Sequence, residues 1–263
     1  EFFATPQDLL GHVDAVTIAT STPAHYEIGK LFLESGVHVF VEKPLTSVSA
    51  EARELTELAE RAGLKLQVGH VERFNPALLS ARDRLDAARF IECHRLAPFK
   101  TRGADVDVVL DLMIHDLDVI LSLIDGKPVR VSAVGISVLT DKIDIANARI
   151  EFDTGAIANV TASRVSMSAQ RKFRVFQRNQ YLSIDFGSGE VQLVSHEPGT
   201  ATDAATLKEE RWNLDKGDAL LAEVAAFVKS VREDTPCVVT GRDGLAALKL
   251  AEEILADIAT RDF

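Results

Sequence analysis

The chain reads as an α/β protein in two parts: a doubly wound parallel-sheet domain, then an α+β domain with a large, mostly antiparallel sheet. Three observations predict this. Up to Gly69, apolar runs of strand length alternate with helical patterns. From Arg89 on, period-two runs follow one another without helices between them. A single strongly helical stretch, 108–124, interrupts the second part before two helices close the chain.

The elements follow in order. In "TPQDLLGH", Thr5 is placed to cap a helix that Pro6 opens, and "VDAVTIAT" is then a continuous apolar strand. "STPAHYEIGKLFLESG" repeats the signal, with Ser21 or Thr22 as cap, Pro23 as first helical residue and Gly36 as stop. "VHVFV" is the next strand. A helix over 48–62 puts Leu55, Leu58, Ala59 and Ala62 on one buried face, and "LKLQVG" returns as a strand. Strands this apolar, separated by helices, belong to a parallel sheet covered on both faces. In the second part "RFIECHRLA" is a strand leading into the 108–124 helix, the expected cover of the sheet. Strands are expected at 129–139, 146–152, 156–165, 172–177, 181–186 and 190–195, and "RKFRVFQR" reads as an outward strand face with no role. The closing helices are 217–232, with Leu221, Val224, Phe227, Val228 and Val231 inward, and 243–259, with Leu248, Ala251, Leu255 and Ile258 inward. The stretch 197–206, "EPGTATDAAT", is the candidate mobile loop. The expected domains are 1–88, 89–240 and a C-terminal helix, 241–263, that packs back on the first.

A doubly wound domain that binds a dinucleotide begins with a strand, a G-x-G-x-x-G turn and a helix. The nearest match, "GSGEVQ" at 187–192, lacks the third glycine and sits between strands. The chain also starts on a helix that precedes a strand, so a βαβ unit of at least about 30 residues is expected to be missing from the N-terminus.

Composition narrows the partners. Of 263 residues 46% are hydrophobic and 26% charged, and the net charge is -11. That acidity argues against nucleic acid and anionic membranes, so a phosphorylated ligand needs a local cationic grip. Cys93 and Cys237 lack metal-ligand spacing and read as reduced thiols, with a disulfide between them as the alternative. No apolar run approaches the roughly 18 residues of a membrane span and no signal-peptide pattern is read at the start, so a cytoplasmic location is expected.

Four stretches carry candidate chemistry. "VFVEKPL" puts Glu42, Lys43 and Pro44 at the carboxyl end of a parallel strand, where open α/β sheets bind ligands. There Lys43 can present its ammonium to a substrate oxygen, or simply be solvated in a strand-to-helix turn. In the 108–124 helix, Leu110, Met113, Ile114, Leu117, Leu121 and Ile124 form an apolar arc beside a polar stripe of Asp111, His115 and Asp118. A stripe facing water would hold lysine or glutamate, and none occurs there. A carboxylate four residues before an imidazole suits a general base. The alternatives are a solvated or capping cluster and a metal site, for which no third ligand is obvious. In "VGHVERFNPAL", which also brings His70 and Glu72, Arg73 can pair an anion, while Asn75 either binds a hydroxyl or caps the helix that Pro76 begins. In "APFKTRGADVD", Lys100 and Arg102 supply positive charge for a phosphate, or lie on a surface loop.

Taken in order, "DAVTIATSTPAHYEIGKLFLESGVHVFVEKPL", "VGHVERFNPA", "DLMIHDLD" and "LLAEVAAFVKSVREDTPCVVTGRDGLAALKLAEEIL" resemble the Gfo/Idh/MocA family of nicotinamide-dependent oxidoreductases across nearly the whole chain. Within it, "VERFNP" with "PFKTRGADVDVVLDLMIHDLD" is most similar to members acting on nucleotide sugars. The resemblance implies a Rossmann-type first domain, NAD or NADP as cofactor, and oxidation of a CH–OH group. The implied reaction moves hydride between the 3-hydroxyl carbon of a nucleotide sugar, of the UDP-N-acetylglucosamine type, and nicotinamide. Lys43 matches the family lysine near the reacting hydroxyl, and Asp111 and His115 match its D-x-x-x-H helix, with His115 as acid/base. Thr20, Ser21, Thr22, Pro23, His25, Glu42, Lys43 and Pro44 become cofactor candidates; Arg73, Asn75 and Arg102 become substrate candidates. A free sugar, an inositol or a biliverdin-like molecule is the alternative substrate, and a non-catalytic metabolite-binding member the alternative class. A homodimer or homotetramer through the second sheet is expected, because an uncovered face of that size would be an apolar patch.

Overall fold

The structure is a computed structural model and describes residues 2–101, 103–197, 206–215 and 217–261. Most of the expected loop at 197–206 lies outside the described residues, as does Arg102. In chain order the elements are β1 (Ala15–Ile18), α1 (His25–Glu34), β2 (His38–Glu42), α2 (Ser49–Ala62), β3 (Leu66–Gly69), α3 (Pro76–Ala81) and β4 (Phe90–Leu96). Then come α4 (Ile114–Leu123), β5 (Pro128–Ile136), β6 (Ile145–Phe152), β7 (Ile157–Ser163), β8 (Gln170–Gln177), β9 (Gln180–Asp185), β10 (Glu190–Ser195), β11 (Lys208–Asn213), α5 (Ala219–Glu233) and α6 (Gly241–Ala259). They form two compact units, one of residues up to Val71 with Leu220–Glu252, the other of Glu72–Ala219 with the residues from Glu253 on.

The first unit holds a parallel sheet in the order β1-β2-β3. Val39, Phe40, Val41 and Val68 are fully buried, whereas Thr17 on β1 is exposed, so cover on both faces holds for β2 and β3 but not for the edge strand β1. The N-terminal "PQDL" is one 3-10 turn rather than an α-helix: Thr5 donates from its backbone N–H (2.9 Å) and its hydroxyl (2.8 Å) to Asp8, and Gly11 at φ +80° comes next. The buried face of α2 is Ala52, Leu55, Thr56 and Ala59. Leu58 is only half-buried and Ala62 is exposed, because the last turn runs out to the left-handed cap at Gly63. The expected face of α5 is also displaced. Phe227 is buried against Phe40, with ring centroids 5.8 Å apart, but Leu221 and Val228 are 64% and 46% exposed, and Val224 and Val231 half-buried. Glu223 and Ser230 take the inward positions, and the Glu223 carbonyl accepts from the Gln67 amide at 3.0 Å. On α6 Leu248, Ala251 and Ile258 are buried as predicted and Leu255 is half-buried.

The second unit is built on eight strands in the order β11-β10-β9-β8-β4-β7-β6-β5, antiparallel throughout except for β4 with β7. The mostly antiparallel sheet is therefore as predicted, with one strand more. β11, "KEERWN", is the strand the sequence pattern does not predict: it is charged and exposed, as an edge strand that must not recruit another should be. The 108–124 helix does cover the sheet. It opens as a π-turn at Val109–Met113 and continues as α4, and Met113, Leu117 and Ile120 are buried with Ile91, Cys93, Val160, Phe173 and Val175 of the sheet.

Two expectations about the other face of this sheet are corrected. "RKFRVFQR" is outward at alternate residues, among them Lys172 and Arg174, which approach Asp185 (3.9 Å) and Glu92 (2.5 Å), while Phe173 and Val175 are fully buried on the opposite side. The outer face is also not an apolar patch, since Glu92, Arg149, Asn159 and Arg174 surround a smaller aromatic cluster of Phe90, Phe176 and Tyr181 with centroids 5.4 and 4.9 Å apart. Among the described residues no helix is long and apolar enough to cross a membrane.

Candidate active site

The parallel strands of the first unit deliver their carboxyl ends to one edge, the place where open α/β sheets bind ligands. After β1 come Thr20 and Ser21, both exposed, and a 3-10 turn that holds half-buried Thr22 and exposed Pro23. After β2 come Glu42 and Lys43, both half-buried, and buried Pro44, joined to Lys43 by a cis peptide bond. His25 is buried, its Nδ1 2.9 Å from the Pro44 carbonyl and its Nε2 3.1 Å from the Thr20 carbonyl. The imidazole thus braces the loop after β1 against the loop after β2. At the end of β3, a Cβ on Gly69 would lie 2.8 Å from the Glu42 carboxylate, so only glycine lets Glu42 lie that close. All eight cofactor candidates therefore share this edge. Its hydroxyls, backbone groups and single lysine form a donor set that fits a dinucleotide laid across strand ends.

In the second unit Asp111 and His115 are half-buried one turn apart, and Asp118 is buried with its Oδ2 3.8 Å from Arg73 Nε. The polar stripe thus meets Arg73. Asn75 caps α3 by accepting from the Ala77 N–H at 3.0 Å, and its amide donates to Glu72 (3.0 Å) and to the Phe186 carbonyl (3.4 Å). Lys100 is exposed.

A buried charge network, not evident from the sequence, underlies these residues. Arg95 on β4 forks onto Asp116, Nε to Oδ2 at 2.9 Å and Nη2 to Oδ1 at 2.8 Å, and its Nη1 donates to Glu72 at 2.9 Å. Burial opposes the Arg95 charge, yet the two carboxylates outweigh it and push the guanidinium pKa up; burial also pushes Asp116 up, against the pull of Arg95. One side chain therefore ties the turn carrying Arg73 to the helix carrying His115. A signal for it existed: Arg95 continues the inward period of Ile91 and Cys93, and Asp116 lies within the arc of Met113, Leu117 and Ile120. Charge on two buried faces at once marks a pair.

A second grip holds the entry to the helix. Arg164, 4% exposed, donates to the carbonyls of Gly103 (2.6 Å) and Val106 (2.5 Å), and a Cβ on Gly103, at φ +80°, would come within 2.9 Å of the Asp111 carboxylate. Asp144 receives the backbone N–H groups of Val138, Leu139 and Thr140 at 2.6–2.9 Å, and Ile143 donates to Asp107 at 2.8 Å. Asp111 is thus set by backbone that two buried charges position.

The strand-end lysine of the first unit and the D-x-x-x-H helix of the second are the features in which the sequence resembles nicotinamide-dependent oxidoreductases, and the match is direct. Residues 1–70 match the oxidoreductase family with an NAD-binding Rossmann fold, and residues 84–182 match the GFO/IDH/MocA C-terminal domain; the chain belongs to the Gfo/Idh/MocA family. It is 38% identical over 253 residues to the UDP-N-acetylglucosamine 3-dehydrogenase of Acidithiobacillus ferrooxidans, covering 96% of this chain and 81% of that protein. A solved structure of that organism's UDP-N-acetylglucosamine 3-dehydrogenase GnnA superposes with a TM-score of 0.92 at 37% identity, covering 98% of this chain and 83% of that one. The inositol 2-dehydrogenase of Rhizobium meliloti is 25% identical over 95% of this chain and 79% of its own length.

Proposed function

We propose that this protein oxidises the 3-hydroxyl of a nucleotide sugar of the UDP-N-acetylglucosamine type. The observation that carries the reading is 38% identity, across 96% of the chain, to a relative named for that reaction. A bound nicotinamide dinucleotide, NAD or NADP, supplies the acceptor for the electron pair of the sugar C–H bond. Thr20, Ser21, Thr22, Pro23, Glu42, Lys43 and Pro44 hold it, with His25 bracing their loops. His115 takes the hydroxyl proton as general base. Asp111, one turn before it, orients the imidazole. The Lys43 ammonium stabilises the negative charge that develops on the oxygen. Arg73 and Arg102 ground the anionic part of the substrate, and Asn75 shapes its pocket.

The reading places the protein in the cytoplasm, which suits the unpaired thiols of Cys93 and Cys237. It also makes the protein a dimer or tetramer through the outer face of the eight-stranded sheet, around Phe90, Phe176 and Tyr181; light scattering that reports a monomer would remove that part. The test of the function is turnover of UDP-N-acetylglucosamine with NAD and NADP, read from the absorbance of the reduced nicotinamide. His115→Ala is expected to lower kcat by about 10²- to 10⁴-fold, the usual share of general-base catalysis, and Lys43→Ala to abolish turnover. A protein that neither oxidises nor binds the nucleotide sugar would contradict the reading.

A further inference from the structure

Two cavities adjoin on the second unit, beside the turn that carries Glu72 and Arg73. One, of about 220 Å³, is lined by Asn75, Pro76, Phe186, Leu214, Asp215 and Gly217, among others. The other, an open groove of about 810 Å³, runs along Ser168, Ala169, Gln170, Asp185 and Ser188. Arg171 and Gly187 line both, so the two spaces meet at Arg171.

Arg171 is out of place by the logic of its strand. It precedes Phe173 and Val175 on the inward face of β8, both fully buried, where an apolar residue would continue the pattern. Its side chain is instead 55% exposed, with Nη1 3.9 Å from Glu72 Oε1, beyond hydrogen-bond reach. That carboxylate oxygen already accepts from Arg95 at 2.9 Å. Among the described residues no side chain hydrogen-bonds the Arg171 guanidinium. The neighbouring cation, Lys172, points to the other face of the sheet and Asp185. A planar, always-charged fork at the junction of two cavities matches two phosphate oxygens, and a chain of net charge -11 needs such a local grip to hold them.

The smaller cavity suits a nucleoside joined to such a diphosphate. Its wall is thinned by glycine, since a Cβ on Gly217 would lie 2.9 Å from Pro76 Cγ, and Gly189 turns at φ +82°. Phe186 offers an apolar surface and Asp215 an acceptor for sugar hydroxyls.

We propose that this groove is the subsite for the nucleoside diphosphate of the substrate, with Arg171 on the phosphate oxygens and the smaller cavity taking the nucleoside. The proposal rests on the nucleotide-sugar function and adds the residue that would make the enzyme prefer a nucleotide sugar to a free sugar. Arg171 then anchors the end of the substrate remote from the chemistry.

The probe is UDP itself, titrated by calorimetry into the full chain as wild type, Arg171→Ala, Arg171→Lys and Lys172→Ala. Arg171→Ala is expected to weaken UDP binding about 10- to 100-fold, the net loss of about one charge-assisted hydrogen bond at a half-exposed site. Arg171→Lys restores part of it and Lys172→Ala changes nothing. The KM for UDP-N-acetylglucosamine rises by the same factor while kcat and the KM for the dinucleotide stay within about threefold, a loss of uniform binding. A role through Glu72 alone would instead lower kcat and the melting temperature and leave UDP affinity intact, which would overturn the proposal. So would wild type that binds no UDP, or inorganic phosphate that competes as well as UDP. Arg171-dependent UDP binding without any oxidation of the nucleotide sugar would uphold the groove and remove the dehydrogenase reading instead.

Discussion

Replacing Arg95 with methionine would strip the cation from two buried carboxylates at once. The Glu72 and Asp116 side chains are 6% and 4% exposed, and the three hydrogen bonds they would lose measure 2.8–2.9 Å. At about 1.5–3 kcal/mol for each charge-assisted bond, simple addition gives roughly 4.5–9 kcal/mol. One orphaned carboxylate escapes part of this by taking up a proton, so the cost falls to about 3–5 kcal/mol, the range for breaking a buried ion pair by removing one partner. At roughly 2–4 °C per kcal/mol for a chain of this size, thermal denaturation should show a melting temperature lower by about 6–20 °C. The deficit should also depend on pH. Burial already pushes Asp116 up, and without Arg95 only the weaker pull of Arg171 opposes it. A carboxyl whose pKa is raised by folding destabilises the fold above that folded value, and the penalty vanishes as pH falls to the unfolded value of about 3.9. The gap between variant and wild type should therefore narrow from pH 7 toward pH 4, and Arg95→Met combined with Asp116→Leu should recover much of the loss. A loss below about 1 kcal/mol, or one that stays constant with pH, would show that Arg95 does not hold the two carboxylates in this way.

The same structure sets other outcomes. Burial opposes the charge of Asp144, but the N–H groups of Leu139, Thr140 and Val138 and the Thr140 hydroxyl overcome it and hold the carboxyl at about 2. A depressed carboxyl stabilises above its unfolded pKa and loses that contribution as pH falls toward its folded one. Asp144→Asn should thus cost about 2–4 kcal/mol at pH 7 by urea denaturation, with the gap to wild type closing between about pH 4 and pH 2. Gly244→Ala places a Cβ 2.6 Å from Val68 Cγ2, against a branched side chain with little freedom. The overpacking, about 1–3 kcal/mol, should outweigh the roughly 1 kcal/mol gained in helix propensity; a more stable variant would show that Val68 yields.

Parallel strands, crossover helices and the cover helix were legible because each buries a face whose period its own residues display. Where several faces were apolar, periodicity chose wrongly. On α5 it selected Leu221 and Val228, yet the buried side is set by Phe227 on Phe40 and by the Gln67 bond to the Glu223 carbonyl. β11 escaped notice because an edge strand made of charged residues looks like a loop. In the site, Lys43, Asp111 and His115 stood out by motif, and the Asn75 cap by its proline. Arg95, Asp116 and Arg171 did not, since each matters through a partner or a cavity distant in sequence. Pairing across the fold is not written in the spacing along one element.

In the proposed reaction the bond broken is the C–H bond at carbon 3 of the nucleotide sugar. UDP-N-acetylglucosamine carrying deuterium at that carbon, incubated with the dinucleotide and the full chain, reports on that bond. The label should leave the sugar for the dinucleotide, the product should be a 3-keto sugar nucleotide, and His115→Ala should leave the label in place. Turnover that retains the deuterium at carbon 3, or that ignores the nucleotide sugar in favour of an inositol, would contradict that reaction.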